Sequence, residues 1–226
     1  ASIRAKRQLM VGHCLRFWPE YLALKAMIDS CEAGRLQALN LFRRAPRPNY
    51  TVGNWADSPE RCLGAALDLH IHDTDIVHFL LGMPTAVDST GVRLKTGWDH
   101  IQTQYQYPDY AVLAEGGGNY PKERPFQMGF CALFERGSLD FDTSAKIPLQ
   151  KYIVGQAAHL EAELQLENNG NPDGLLAYRR QLEYFADCIQ SATPVAINTG
   201  IDALTSLQTV LSEIKSAESK QSLTIV

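Results

Sequence analysis

His100-Ile101-Gln102-Thr103-Gln104-Tyr105-Gln106-Tyr107 decides the fold. Ile101, Thr103, Tyr105 and Tyr107 alternate with three glutamines, the period of two that sends successive side chains to opposite faces of a strand. Phe126, Met128, Phe130, Ala132 and Phe134 repeat the pattern. Segments near 85–94, 99–107, 110–117, 126–135 and 138–142 follow one another through turn-rich links such as Pro108-Asp109 and Arg136-Gly137-Ser138, which predicts one largely antiparallel sheet. Upstream the rhythm is helical. Leu63 to Leu81 predicts a helix closed by Gly82 and Pro84, and Pro19 opens another that runs through Ile28 and ends at Gly34. Between them Arg35 to Arg44 is β-compatible, stopped by Pro46 and Pro48 before a loop with Trp55, while Gln8 to Gly12 predicts a short buried strand. Downstream, Gln156 to Gly174 predicts a long polar loop, then helices at about 173–191 and 202–219 and a last strand at 223–226.

Helices, then a meander of strands, then helices predict an α+β fold: a largely antiparallel, open-faced sheet with helices packed on one face. The other face is expected to carry the alternating Tyr and Phe side chains and to meet another subunit, giving a homo-oligomer. The chain has 226 residues, with 21 Lys+Arg against 25 Asp+Glu and a net charge of −4. That balance argues against nucleic acid or an anionic membrane as partner, since both demand a dense field of cations. Arg43, Arg44 and Arg47 form a dense basic cluster. No apolar run approaches the roughly 18–20 residues of a membrane span. Cys14, Cys31, Cys62, Cys131 and Cys188 are odd in number and never closely paired, which reads as thiols in a reducing cytoplasm. The chain opens on Ala1 and passes straight from a polar stretch into an apolar one, so a fragment of a longer protein is expected.

The chemistry-bearing segment is Gly64-Ala-Ala-Leu-Asp68-Leu-His70-Ile-His72-Asp73-Thr-Asp75-Ile-Val-His78. On a helix, Asp68, His72 and Asp75 share one stripe among apolar neighbours, and burying them is costly unless they are paired or face a polar cleft. A carboxylate one turn from a histidine can orient the ring and support its imidazolium form, the arrangement of a general acid/base. A satisfied helix histidine with a structural acceptor fits the same letters. His70 and His78 point to other faces, and His70 can line a cleft edge. A third alternative is a metal-dependent hydrolase using Asp68, His70 and His72, since Asp-x-His-x-His opens known metal sites. Against it, a helix separates His70 and His72 by about 160°, so no metal ligand set is expected. Gly116-Gly117-Gly118 leads into Asn119-Tyr120-Pro121 rather than a helix, so it is no phosphate cradle. No Gly-x-Gly-x-x-Gly or Gly-x-Ser-x-Gly is present.

Four stretches in order resemble the C-terminal half of Gfo/Idh/MocA oxidoreductases: Val11-Gly12-His13-Cys14-Leu15-Arg16-Phe17-x-Pro19-x-Tyr21, the Asp-x-x-x-His-x-x-Asp core of the helix, Gly82-x-Pro84, and Tyr178-x-x-x-Leu-Glu-x-Phe185. The resemblance covers nearly the whole chain. It implies a dihydrodipicolinate-reductase-like C-terminal domain whose Rossmann domain is absent, with residues 1–12 a remnant of that domain's last strand region and 13–226 the substrate-binding and oligomerisation domain. It also implies a parent enzyme that uses NAD or NADP on a sugar or polyol hydroxyl or ketone. His72 falls on the catalytic histidine, Asp68 on the aspartate before it, and Arg16, Asp75 and Tyr178 on residues of the substrate cleft. By this resemblance the isolated chain is expected to be inactive and to hold no cofactor tightly. A non-catalytic binding or oligomerisation module with the same fold stands as the alternative.

Overall fold

The computed structural model describes residues 2–48, 52–156, 159–160 and 175–225. Along the chain come α1 (Ser2–Ala5), a 3₁₀ turn (Cys14–Phe17), α2 (Pro19–Ser30), β1 (Leu36–Pro46), a second 3₁₀ segment (Val52–Asp57) and α3 (Pro59–Cys62). A π-helical segment (Ala66–His70) then runs directly into α4 (Ile71–Leu81). The strands β2 (Ala86–Leu94), β3 (Gly97–Gln106), β4 (Ala111–Tyr120), β5 (Gln127–Phe134), β6 (Gly137–Asp142), β7 (Leu149–Ile153) and β8 (His159–Leu160) follow. The chain ends with α5 (Leu175–Gln190), α6 (Gly200–Ser219) and β9 (Leu223–Thr224).

Local chemistry sets the helix ends. Pro19 opens α2, where its missing N–H costs nothing, and Gly82 at φ 77° closes α4. A reciprocal capping box starts α6: the Asp202 N–H donates to the Thr199 hydroxyl at 3.1 Å, and the Thr199 N–H donates to the Asp202 carboxylate at 2.7 Å.

The strands form one sheet in the order β8-β7-β6-β5-β1-β4-β3-β2-β9. The fold is α+β, and its sheet is antiparallel throughout except where β1 runs parallel to β4, with Ala38 opposite Ala111 and Leu41 opposite Ala114. β1 thus enters between β4 and β5, which are consecutive in sequence but not paired.

Helices cover one face. Tyr21 and Leu24 of α2 and Ile76, Val77 and Leu80 of α4 pack on Leu39, Leu41, Tyr105, Phe130 and Phe141, with Tyr21 5.2 Å from the Phe130 ring. A smaller cluster joins Trp98 and Ile101 to Val210 and Ala217 of α6. The alternating aromatics therefore lie on the covered face, contrary to the expectation that they line the open one. Tyr105, Phe130 and Phe134 are 1%, 1% and 2% exposed. Alternation fixes two faces without saying which one the helices take, and burial of the larger apolar area decides it. The open face carries Asn40, Gln102, Gln104 and Asp140 around exposed Leu113, Leu133 and Tyr152.

Two further expectations change. Gln8 to Gly12 pairs with no described strand. The Gln8 side-chain amide donates to the carbonyls of Cys188 and Thr193 at 3.1 and 2.7 Å, and the Val11 N–H donates to Asn198 at 2.8 Å, strapping this segment along the α5–α6 connection. Most of the expected 156–174 loop lies outside the described residues, but His159–Leu160 adds a strand beside β7.

Candidate functional site

The approach of one helix to two glycines of β4, Gly116 and Gly118, positions the site. A Cβ on Gly116 would stand 2.6 Å from Cβ of His70, and one on Gly118 would stand 3.0 Å from Cβ of Ala65, so only glycine lets the π segment lie this close to β4. The glycine run thus has a packing reason. The start of the helix is fixed from the other side by the Trp98 N–H, which donates to the Leu63 carbonyl at 3.1 Å. A π segment has a wider turn than an α-helix, so it shifts Asp68 out of α-helical register with the residues after it.

That shift divides the expected stripe. His70 is fully buried and turned toward β3 and α6, its Nε2 3.1 Å from Glu213 Oε2 and 3.2 Å from the Thr103 hydroxyl. Thr74 donates to the same Glu213 carboxylate at 3.1 Å and lies 3.0 Å from the Tyr105 hydroxyl. The substrate contact expected of His70 is therefore corrected: it belongs to a closed polar network. Asp75, also fully buried, accepts two 2.9 Å hydrogen bonds from Arg16 and a third at 2.9 Å from the Ser206 hydroxyl. Arg16 is 7% exposed, reaches Asp202 at 3.5 Å and lies 5.4 Å over the Phe79 ring. Protein partners engage both groups, so the structure assigns Arg16 and Asp75 to locking the 13–17 turn onto α4 and α6 rather than to holding a substrate.

His72 points elsewhere. Together with Asp68, Cys14, Trp18, Arg43, Phe126 and Tyr178 it lines a cavity of ≈250 Å³. Its Nδ1 is buried without a hydrogen-bond partner, and burial, reinforced by the Arg43 guanidinium and the His13 ring, pushes its pKa down to about 3. The His13 ring meets it edge-on with centroids 5.8 Å apart. Burial raises the pKa of Asp68, and no hydrogen bond joins Asp68 to His72 among the described contacts. Tyr178 is half exposed, shares a hydrogen bond with the Cys14 thiol and packs against Trp18 at 6.4 Å. Arg43 is held by Asp73 through two 3.1 Å hydrogen bonds. His70 and His72 thus leave the helix in different directions and do not converge on a common point with Asp68. Among the described residues no three His, Cys, Asp or Glu side chains gather as a metal-holding group.

Sequence reasoning passed over His13, Cys14, Arg43 and Asp73. Arg43 was signalled by its place in β1, where odd-numbered residues from Leu39 to Ala45 point inward. A charge at such a position demands a buried partner, and Asp73 supplies it. The whole basic cluster resolves into pairs: Arg43 with Asp73, Arg44 with Glu115, and Arg47 with Asp57 and Asp99.

This geometry can be set beside known proteins. Residues 21–117 match the model of the GFO/IDH/MocA C-terminal domain. That stretch, under half of the chain, is similar to that family. Inositol 2-dehydrogenase of Rhizobium meliloti is 33% identical over 90 residues, covering 39% of this chain and 26% of that protein. The WlbA dehydrogenase from Bordetella pertussis, solved with NADH and UDP-GlcNAcA, superposes with a TM-score of 0.81 at 16% identity, over 99% of this chain and 66% of that one. Levoglucosan dehydrogenase with NADH and levoglucosan gives 0.79 at 15% identity, over 97% and 66%. The solved structures share the fold of this chain. The chain spans about two thirds of their length.

Proposed function

We propose that this chain is the substrate-binding and catalytic part of an NAD(P)-dependent oxidoreductase acting on a sugar or polyol hydroxyl or ketone, with His72 as its general acid/base. The observation that carries the reading is the place of His72: an imidazole on the wall of a cavity beside Asp68 and Tyr178, in a chain whose residues 21–117 match the GFO/IDH/MocA C-terminal domain. A neutral ring is the form that accepts a proton. Asp68 and Tyr178, on the same wall, offer a carboxyl and a hydroxyl for hydrogen bonds to neighbouring substrate hydroxyls.

Cys14, Leu15 and Met128 make part of this wall apolar, a surface that suits a flat nicotinamide ring, while a glycine turn leading into a helix N-terminus is missing from the sequence. The dinucleotide is therefore assigned to a further domain of the parent protein, and the chain alone is expected to turn nothing over. When bound, NAD(P) supplies the two-electron hydride acceptor or donor. In oxidation His72 takes the hydroxyl proton as hydride leaves the same carbon, and in reduction it returns that proton. The open sheet face, with Leu113, Leu133 and Tyr152 among polar neighbours, is assigned to homo-oligomer contact, and its residues replace the aromatics first expected there.

The test is kinetic. In the parent protein supplied with NAD(P) and a panel of sugars and polyols, His72→Ala is expected to lower kcat by about 10²–10⁴-fold, the usual worth of a positioned acid/base, with the fold retained. Full retained turnover overturns the assignment.

A further inference from the structure

The cavity at His72 has a neighbour. A second cavity of ≈290 Å³ opens beside it, and the two share Asp68, Leu69 and Phe126 as their common wall. Each alone lies at or below the lower end of the roughly 300–1,000 Å³ of small-molecule sites, whereas the pair falls within that range. The outer compartment is walled mainly by carbon: Pro46, Pro48, Ala56, Leu69 and half-exposed Phe126. Of its two cations, Arg47 is already engaged by protein partners. Arg47 donates to the Thr96 hydroxyl at 2.6 Å and to Asp99 at 3.1 Å and lies 3.3 Å from Asp57, and Lys122 extends into solvent beside Glu123. Asp68 and Asp99 leave this compartment with no excess of positive charge. A neutral ring compound satisfies such a lining. The C–H face of a pyranose packs on proline and aromatic carbon, and its hydroxyls find the carboxyl of Asp68 at the junction.

We propose that the outer compartment is a second sugar subsite, so that the natural substrate is a neutral glycoside of two ring units, one beside His72 and the other against Pro46, Pro48 and Phe126. The inference rests on the reading of the His72 cavity as a carbohydrate site and narrows its substrate class. It makes the outer compartment responsible for substrate length, a role separate from the proton transfer.

The experiment is binding by this chain, followed by amide NMR, with methyl glycopyranosides, the corresponding disaccharides cellobiose, maltose and lactose, and UDP-glucose as the charged comparison. At least one disaccharide is expected to bind about tenfold more tightly than its methyl glycoside, a difference of about 1.4 kcal/mol. It should also shift the Ala56 and Gly118 amides, which the methyl glycoside leaves in place. Ala56→Leu, which fills the outer compartment alone, should erase the advantage of the second ring. The proposal is overturned by equal affinity for one and two rings, by shifts confined to the His72 cavity, by tighter binding of UDP-glucose than of every neutral probe, or by no binding of any probe. Because binding is read without turnover, its failure is distinct from failure of the acid/base assignment, which only the His72→Ala kinetics decide.

Discussion

A buried imidazole makes proton uptake an expense of folding. Burial holds the pKa of His72 at about 3, far below the 6.5 of the unfolded chain, and lowers that of His13 and His78 as well. Below pH 6.5 the unfolded chain binds protons that these folded rings refuse, so stability falls as pH falls from about 6.5 toward 3 and is flat above that window. For His72 alone the loss between pH 7 and pH 5 is about 2 kcal/mol. Urea unfolding at the two pH values should show it, and His72→Gln should flatten the dependence by that amount; an unchanged slope would contradict a neutral buried ring. Asp75 is tested at the same scale. With Arg16 and Ser206 as its partners, Asp75→Asn leaves the buried guanidinium with only its 3.5 Å contact to Asp202 and should cost about 2–4 kcal/mol of stability. A cost below about 0.5 kcal/mol, usual for a surface change, would restore Asp75 to the substrate list.

Among the elements, the junction of the π segment with β4 matters most. Gly116→Ala places a Cβ within 2.6 Å of the His70 side chain and should destabilise by about 1–3 kcal/mol, with movement of the segment that bears Asp68. Gly82→Ala meets nothing within 4 Å and should cost only the strain of its positive φ, about 1 kcal/mol. Equal losses in thermal unfolding would remove the close-packing account. This junction also marks the limit of what the sequence shows. The strands from Ala86 to Asp142 and the two last helices are legible because alternation, Gly-Pro stops and helical spacing are local signals. The π segment is not, since one extra residue in a turn leaves apolar spacing nearly intact, and its trace is the glycine run of β4, about fifty residues downstream. β7 escapes because Gln150 and Lys151 interrupt its alternation at the sheet margin. The parallel entry of β1 between β4 and β5 depends on long-range packing that no local pattern records. At the candidate site, His72 and Asp68 line one cavity although the π segment breaks the α-helical stripe expected of them. The direction of His70 was not legible, because its partner Glu213 lies on α6, more than a hundred residues away.

At the scale of the whole molecule, helices stabilise one face of the sheet and leave a mixed polar and apolar face free, with Leu113 and Leu133 39% and 47% exposed. If that face joins subunits, Leu113→Arg with Leu133→Arg should convert the assembly to a smaller species in light scattering while leaving the fold intact, since both side chains point away from the core; an unchanged mass would place the contact elsewhere. The cleft lies on the opposite side, built from the 13–17 turn, β1, the π segment and α5, so the proposed assembly face and the proposed site are separate. The account turns on the proton held at position 72. The most direct measurement is chemical rescue: turnover of the parent protein carrying His72→Ala, followed as free imidazole is added. The account predicts that imidazole restores a saturable part of the lost rate, and that substituted imidazoles do so in order of their basicity. A loss of rate that no imidazole restores would contradict it.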